Sequence, residues 1–354
     1  MRRLLALLFL FAAFPAAAAP GDQLDGIAVV ETLDAAALEP GMVHRRWFRA
    51  GFNRIGQAWM VPVIVVRGVR PGPRLLVTAG IHGDELNGID VIHRLVAGLD
   101  PARLAGTLVA VPGLNTPGLL QGTREFASDA SRASANLNRA LPGKLGDGAA
   151  DDVAARLWNG LLRANADTAV DLHTQSRGTA YLLYAFASTS RTRRMAELVG
   201  PDVIKLDKGE RGTVENELTD AGIPAITFEL GAPEVFDPPA VARGVAGLRN
   251  LMTELGMLAG SVLAFPAPFV GNDLVNVRAP QGGLATLSVR LGDDVVGGQR
   301  LATIADPFGR VVATATAPRA GRVVSIATDP RRETGSLIAR IVFHSDDPKC
   351  AQGC

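Results

Sequence analysis

From about residue 59 to residue 260, apolar runs of strand length alternate with segments of helical periodicity. The runs 61–66 and 74–81 are rich in β-branched residues and apolar on both faces, the pattern of strands buried within a sheet. Residues 85–99 carry Leu86, Ile89, Ile92, Leu95 and Val96 at helical spacing. The same reading predicts strands at 107–111, 169–172 and 225–230, and helices at 154–162, 191–199 and 240–258. Such alternation implies an α/β fold, a sheet with helices on both faces. Past Phe265-Pro-Ala-Pro268 the texture changes to short strands separated by glycine-rich turns (Gly282-Gly283, Gly292-Asp293, Gly297-Gly298, Phe308-Gly309), which predicts a small all-β unit.

The amino end reads as an export address. Arg2 and Arg3 precede the apolar run 4–14, and Ala16 to Ala19 supply a cleavage site of small residues, with the cut expected after Ala18. The run is shorter than the roughly 20 residues of a spanning helix, so a cleaved signal peptide is expected rather than an anchor, with no stable membrane insertion afterwards. A periplasmic or secreted protein follows. The expected organisation is a signal peptide at 1–18, a hydrolase domain at 22–262, a C-terminal β domain at 263–345 and a tail at 346–354.

Composition narrows the function. Lys and Arg number 36 against 35 Asp and Glu, a net charge of +1. This balance speaks against nucleic acid as a partner, since phosphate-backbone binding needs concentrated positive charge. The two cysteines, Cys350 and Cys354, exclude a disulfide framework and a cysteine-built zinc site in the body of the chain. In an oxidising compartment they could pair, although a spacing of four in an expected frayed tail more often means two incidental thiols. Beyond residue 260 the only lysine is Lys349, so the β unit lacks the hairpin lysine of a swinging-arm carrier and reads as a lid or rim over the cleft.

The candidate chemistry lies where strands stop, which is where ligands collect in open α/β sheets. His82-Gly-Asp-Glu85 follows the 74–81 run, with His82 expected as the last strand residue and Glu85 in the first helical turn. Imidazole and carboxylate at this spacing suit Zn²⁺ with a third ligand from elsewhere, although the same pair also serves as a helix cap or surface pair. His173, in Asp171-Leu-His173, ends another strand and offers that third ligand. His93 sits within a helix as an exposed group, and His44 and His344 lie outside the segment. Asp171 either orients the His173 ring or makes a structural hydrogen bond.

Glu229 closes the apolar run 223–231, where burying a carboxylate is costly unless it has a task. Beside a metal it can take the proton of an activated water and pass it to a leaving amine; a turn cap before Gly231 is the other reading. Arg124 and Arg139 lie in polar, loop-like sequence with Asn115 and Asn138, where guanidinium groups can meet a carboxylate or a developing oxyanion. Arg132 reads as solvated surface.

In that order, Thr78-Ala-Gly-Ile-His-Gly-Asp-Glu85, Asn138-Arg139 with Pro142-Gly143, Asp171-Leu-His173 and residues 222–231 resemble the succinylglutamate desuccinylase/aspartoacylase family of the zinc carboxypeptidase superfamily. The resemblance spans roughly residues 60–345. It implies a zinc-carboxypeptidase-like mixed sheet flanked by helices, with a barrel-sandwich-like C-terminal domain. It further implies one Zn²⁺ per chain held by His82, Glu85 and His173, with Glu229 as general base. Arg124 is then expected to polarise the scissile carbonyl, and Asn138 and Arg139 to hold a substrate carboxylate. The implied reaction is amide hydrolysis of N-acyl amino acids or related small acylated compounds. Three departures stand out: Ala140 follows Asn-Arg where an aromatic or bulky residue is common, a longer insertion separates Arg124 from Asn138, and an arginine upstream of Glu229 gives way to Val214-Glu-Asn-Glu217, whose acidity alters the preference for anionic acyl groups.

Other outcomes stay open at this point. The same residues serve a periplasmic metallocarboxypeptidase or peptide amidase acting on cell-wall peptides, or a non-catalytic zinc-binding module. The substrate expected is a small molecule or short peptide bearing a carboxylate, and association into a homo-oligomer is compatible with the sequence.

Overall fold

The structure, a computed structural model, describes residues 22–126, 135–207 and 209–354. The expected signal peptide and Arg132 therefore lie outside the described residues. An eleven-stranded mixed sheet forms the first lobe, in the order Gln23–Leu24, Ile27–Val30, Met42–Phe52, Ala58–Arg67, Ala105–Pro112, Arg70–Ala79, Thr168–His173, Ala225–Leu230, Leu183–Ala187, Val203–Leu206, Phe269–Gly271. Its central strands, from Ala105–Pro112 to Ala225–Leu230, run parallel, so their carboxyl ends share one edge.

Side-chain alternation divides the core between the two faces of this sheet. Along Arg70–Ala79, Leu75, Val77 and Ala79 pack into one cluster with Val91, Ile92 and Leu95 of helix Asn87–Ala97 and Leu248 and Leu251 of helix Pro238–Glu254. Leu76 points the other way, toward Val153 and Leu157 of helix Ala149–Leu157 and Val214 and Leu218 of helix Val214–Asp220. Helices thus cover both faces, and the polar chemistry is left to the strand ends.

The predicted elements are recovered with small shifts. The strand at 225–230 is observed as Ala225–Leu230, and the helix at 191–199 as Ser190–Val199. The helix at 240–258 starts two residues earlier, capped by the Asp237 side chain, and ends at Glu254. The helix at 154–162 is instead Ala149–Leu157 continued by a wider π turn through Leu162. The apolar pattern did not reveal Met42–Phe52, because His44, Arg45, Arg46 and Arg49 interrupt it; full pairing with Ala58–Arg67 sustains the strand instead.

The C-terminal region is all β. A sheet in the order Asp273–Arg278, Leu337–Phe343, Gly321–Ala327, Asp294–Val295 and a second in the order Val311–Thr316, Arg300–Ala305, Gly283–Leu287, Arg331–Arg332 share one core around Leu301, Ile304, Val323, Ile338 and Ile341. The two lobes exchange strands. Thr179–Tyr181 of the first lobe pairs antiparallel with Gly321–Ala327, and Phe269–Gly271 pairs parallel with Val203–Leu206 at the edge of the large sheet. Tyr181, Tyr184, Val203, Val324 and Val342 fill the seam between them.

The tail departs from expectation. Cys350 and Cys354 are joined in a disulfide rather than standing as free thiols. The segment is docked, not frayed: Cys350 is buried, the Cys354 amide donates to Asn272 O at 2.8 Å, and the buried Lys205 ammonium donates to Cys354 O at 2.7 Å.

Candidate active site

The strand Arg70–Ala79 ends before His82, so His82 and Glu85 both sit in the turn that leads to helix Asn87–Ala97, not on the strand and helix themselves. The turn is held from behind by Asn115. Its side chain donates to Ile81 O at 3.1 Å and accepts from Gly118 N at 2.9 Å, which makes Asn115 a helix cap and loop anchor rather than a substrate contact. Gly83 fits there because a Cβ would lie 1.9 Å from the Gly118 carbonyl carbon.

This turn brings His82 and Glu85 to His173 at the end of Thr168–His173. One donor atom from each of the three lies within 4.8 Å of the others, and all three residues are buried. His82 Nδ1 is 2.9 Å from Glu85 Oε1, and His173 Nδ1 is 2.9 Å from Glu85 Oε2. The far nitrogens are occupied: His82 Nε2 lies 3.2 Å from Asn136 Oδ1, and His173 Nε2 lies 2.7 Å from Asp171 Oδ2, a carboxylate that also accepts from Thr78 Oγ1 at 2.6 Å. Oxygen acceptors behind both rings place their protons on Nε2 and turn Nδ1 inward. Two imidazole nitrogens and one carboxylate, buried and oriented from outside, form a donor set that fits a catalytic divalent cation with an open position. The electrostatics agree. Burial opposes the charge on Glu85, yet the two imidazoles hold its carboxyl well below the usual carboxylate range. Burial also opposes charge on His173, but Asp171 and Glu85 outweigh it and push the imidazole up, whereas burial draws His82 down.

Glu229 stands beside this cluster. In the parallel pairing of Ala225–Leu230 with Thr168–His173 it is directly opposite His173, and on its other side it is opposite Tyr184. Among the described residues its buried Oε2 has no hydrogen-bond partner. Burial pushes the carboxyl well up from its ordinary value, and although His173 pulls it back, Glu85 adds to the rise. A buried carboxyl whose affinity for a proton is raised, with one oxygen left free, is suited to proton transfer.

The cluster opens into a cleft of about 350 Å³ lined also by Arg124, Asn138, Arg139, Glu215, Asn276 and Arg340. Arg124 Nη1 donates to Glu85 Oε1 at 3.1 Å and to Ser176 Oγ. Asn138 accepts from Val214 N at 3.1 Å, joining the loop to helix Val214–Asp220. Arg139 is ion-paired with the exposed Glu210. All seven residues singled out from the sequence therefore converge on one cleft. His93 is exposed, as expected.

Sequence reasoning missed four contributors. Ser176 and the Thr174 amide both reach Glu85, at 3.0 and 3.1 Å, and only their place just after His173 could have signalled them. Glu215, part of the acidic stretch noted above, is buried in the cleft with Thr227 as its hydrogen-bond partner. Burial, with Asp207 and Asp171 nearby, lifts its carboxyl to about 7. Arg340 arrives from the β lobe, and nothing local in its strand sequence marks it.

Residues 71–255 match the succinylglutamate desuccinylase/aspartoacylase catalytic domain. The chain belongs to this family. Among its relatives, the N-alpha-acetyl-L-2,4-diaminobutyric acid deacetylase of Halomonas elongata is 28% identical over 265 residues, covering 70% of this chain and 76% of that protein. Two solved structures share the fold. The family protein from Rhodobacter sphaeroides superposes with a TM-score of 0.77 at 22% identity, over 88% of this chain and 98% of that one. The product-bound ectoine utilization protein EutE (DoeB) from Ruegeria pomeroyi gives 0.75 at 24% identity, over 86% and 95%. The helix-flanked mixed sheet and the all-β C-terminal region inferred from the sequence are thus those of the family.

Proposed function

We propose that the protein is a zinc-dependent deacylase that hydrolyses the amide bond of small N-acyl amino acids. The observation that carries this reading is the meeting of His82 Nδ1, His173 Nδ1 and the Glu85 carboxylate beside the unpartnered Oε2 of Glu229. The names of the family and of the Halomonas deacetylase support it.

His82, Glu85 and His173 would hold the ion, one per chain. A bound zinc ion supplies Lewis acidity, which polarises an amide carbonyl and acidifies water. Glu229 Oε2 takes the proton from the attacking water as the new C–O bond forms. It returns that proton to the nitrogen as the C–N bond breaks, so a carboxylic acid and an amine leave. Arg124 faces the same space and is assigned to the charge that develops on the carbonyl oxygen. Asp171 and Asn136 keep the two imidazoles in register. Asn138 and Arg139 form the wall toward the substrate; Arg139 is available to a carboxylate by exchange with Glu210, since an exposed ion pair is worth about 1 kcal/mol or less.

We further place the mature protein in the periplasm or outside the cell. The basic and apolar start of the chain supports this, as does the Cys350–Cys354 disulfide, a bond that persists in oxidising compartments. Amino-terminal sequencing of the mature protein should begin at Ala19.

Elemental analysis should find about one zinc per chain, and a chelator should abolish hydrolysis. A panel of N-acyl amino acids set against C-terminal peptide substrates tests the class. Turnover confined to peptides would replace the deacylase with a metallocarboxypeptidase, and a metal-free active protein would end the zinc reading.

A further inference from the structure

In the same cleft as the His–Glu–His cluster, four side chains form a row over four strands of the β lobe's five-stranded sheet. Asn276 pairs with Arg340, Arg340 with Ser325, and Ser325 with Tyr181, the last residue lying on the strand that the first lobe lends to this sheet. Directly paired residues share a face, and Asn276, Arg340 and Tyr181 line the cleft.

Arg340 is held by neutral groups. Its Nε donates to Asn276 Oδ1 at 2.8 Å, its Nη1 donates to the Tyr181 hydroxyl, and its guanidinium carbon lies 5.4 Å from the Tyr181 ring centroid. Among the described residues no carboxylate pairs with it, and Nη2 has no hydrogen-bond partner. The neighbouring Ser325 Oγ is buried and also lacks one. Arg124 and Arg139, the other two guanidinium groups of the cleft, already have Glu85 and Glu210. Burial pulls the Arg340 guanidinium down from the ordinary arginine range, and the positive charge of Arg124 adds to the effect. A desolvated cation fixed by neutral partners is a costly arrangement unless an anion completes it.

We propose that Arg340, held by Asn276 and Tyr181, is the anchor for the non-reacting carboxylate of the substrate, so that the C-terminal β lobe supplies part of the specificity of the active site. This rests on the deacylase reading and names the substrate group that its β-lobe wall selects. A planar guanidinium fork suits a carboxylate, and a carboxamide of the same shape forfeits the charge-assisted bonds.

The test compares Nα-acetyl-L-2,4-diaminobutyrate with its C-terminal carboxamide, using the zinc-loaded full chain. Wild type should favour the acid by about 30- to 100-fold in kcat/KM, carried mainly by KM, as expected for charge-assisted hydrogen bonds. Arg340→Gln should bring the two substrates to within a few-fold of each other, with an unchanged melting temperature and zinc content reporting an intact fold. Arg340→Lys should keep part of the preference. A preference that survives in Arg340→Gln, or carboxamide turnover that falls in step with the acid in both variants, would overturn the proposal. Should wild type cleave neither compound, the panel of N-acyl amino acids decides the deacylase reading separately. Calorimetric binding of the acid and the carboxamide to wild type and Arg340→Gln then decides Arg340 by the same criterion.

Discussion

On the wall built from strand ends, opposite charges interlock. Glu85 lies between two imidazoles, Asp171 backs one of them, and Arg124 rests on Glu85, with Glu229 placed alongside. On the wall built by the β lobe, one guanidinium is held by an amide and a phenol, with no carboxylate partner among the described residues. The first arrangement can gather a metal ion and move a proton. The second is suited to read a substrate. Reaction and recognition are thus divided between the two lobes.

The sharpest way to break this contrast is at Glu229. Glu229→Gln should keep the metal, measured by elemental analysis, while hydrolysis falls by about 10³-fold, within the range of lost general acid–base catalysis. Undiminished turnover would remove the base from that wall. Next comes Asp171→Asn. The ring of His173 should lose its charged support, and metal affinity in a competitive chelator titration should drop by about 10- to 100-fold. An unchanged affinity would reduce Asp171 to a strand-to-strand hydrogen bond with Thr78.

Glu215 probes the buried lining of the cleft. Its carboxyl is raised from 4.5 to about 7 by burial, with Asp207 and Asp171 adding to the rise and Thr227 opposing it. The folded chain therefore favours the protonated form. The stability this brings is complete below the ordinary glutamate range and is lost as pH rises through about 7, a swing of roughly 3 kcal/mol. Thermal melting of Glu215→Gln should match wild type near pH 4 and exceed it at pH 8; parallel curves across that range would show no such coupling. The smallest effect is expected at Arg139. Because Glu210 already occupies it and the pair is exposed, Arg139→Gln should change kcat/KM by only a few-fold. A loss larger than that of Arg340→Gln would move the carboxylate anchor from Arg340 to Arg139.

The strand-end wall was largely legible in the sequence. A short apolar run that stops at a polar residue marks both a buried strand and the position where ligands collect, and His82, His173 and Glu229 each carry that signature. Residues 225–230 were read to the residue because that strand is buried on both faces. The β-lobe wall was not legible. Arg340 lies on a strand flanked by Ala339 and Ile341, and its partners Asn276 and Tyr181 are 64 and 159 residues away. A cross-strand row leaves no periodic trace when its members come from separate parts of the chain. The tail was misread for a related reason: four-residue spacing says little about two cysteines until Lys205 and Asn272 fix the segment on the body.

The exchange of strands between lobes bears on how the protein can be divided. Cutting the chain near residue 262 would take Phe269–Gly271 from one sheet and leave Thr179–Tyr181 with no sheet to join. The severed fragment would expose bare backbone donors and acceptors at its rim, an invitation to self-association. Dissecting, tagging or grafting the catalytic half is therefore expected to yield insoluble material, and swaps with relatives should exchange both partners of each lent strand together.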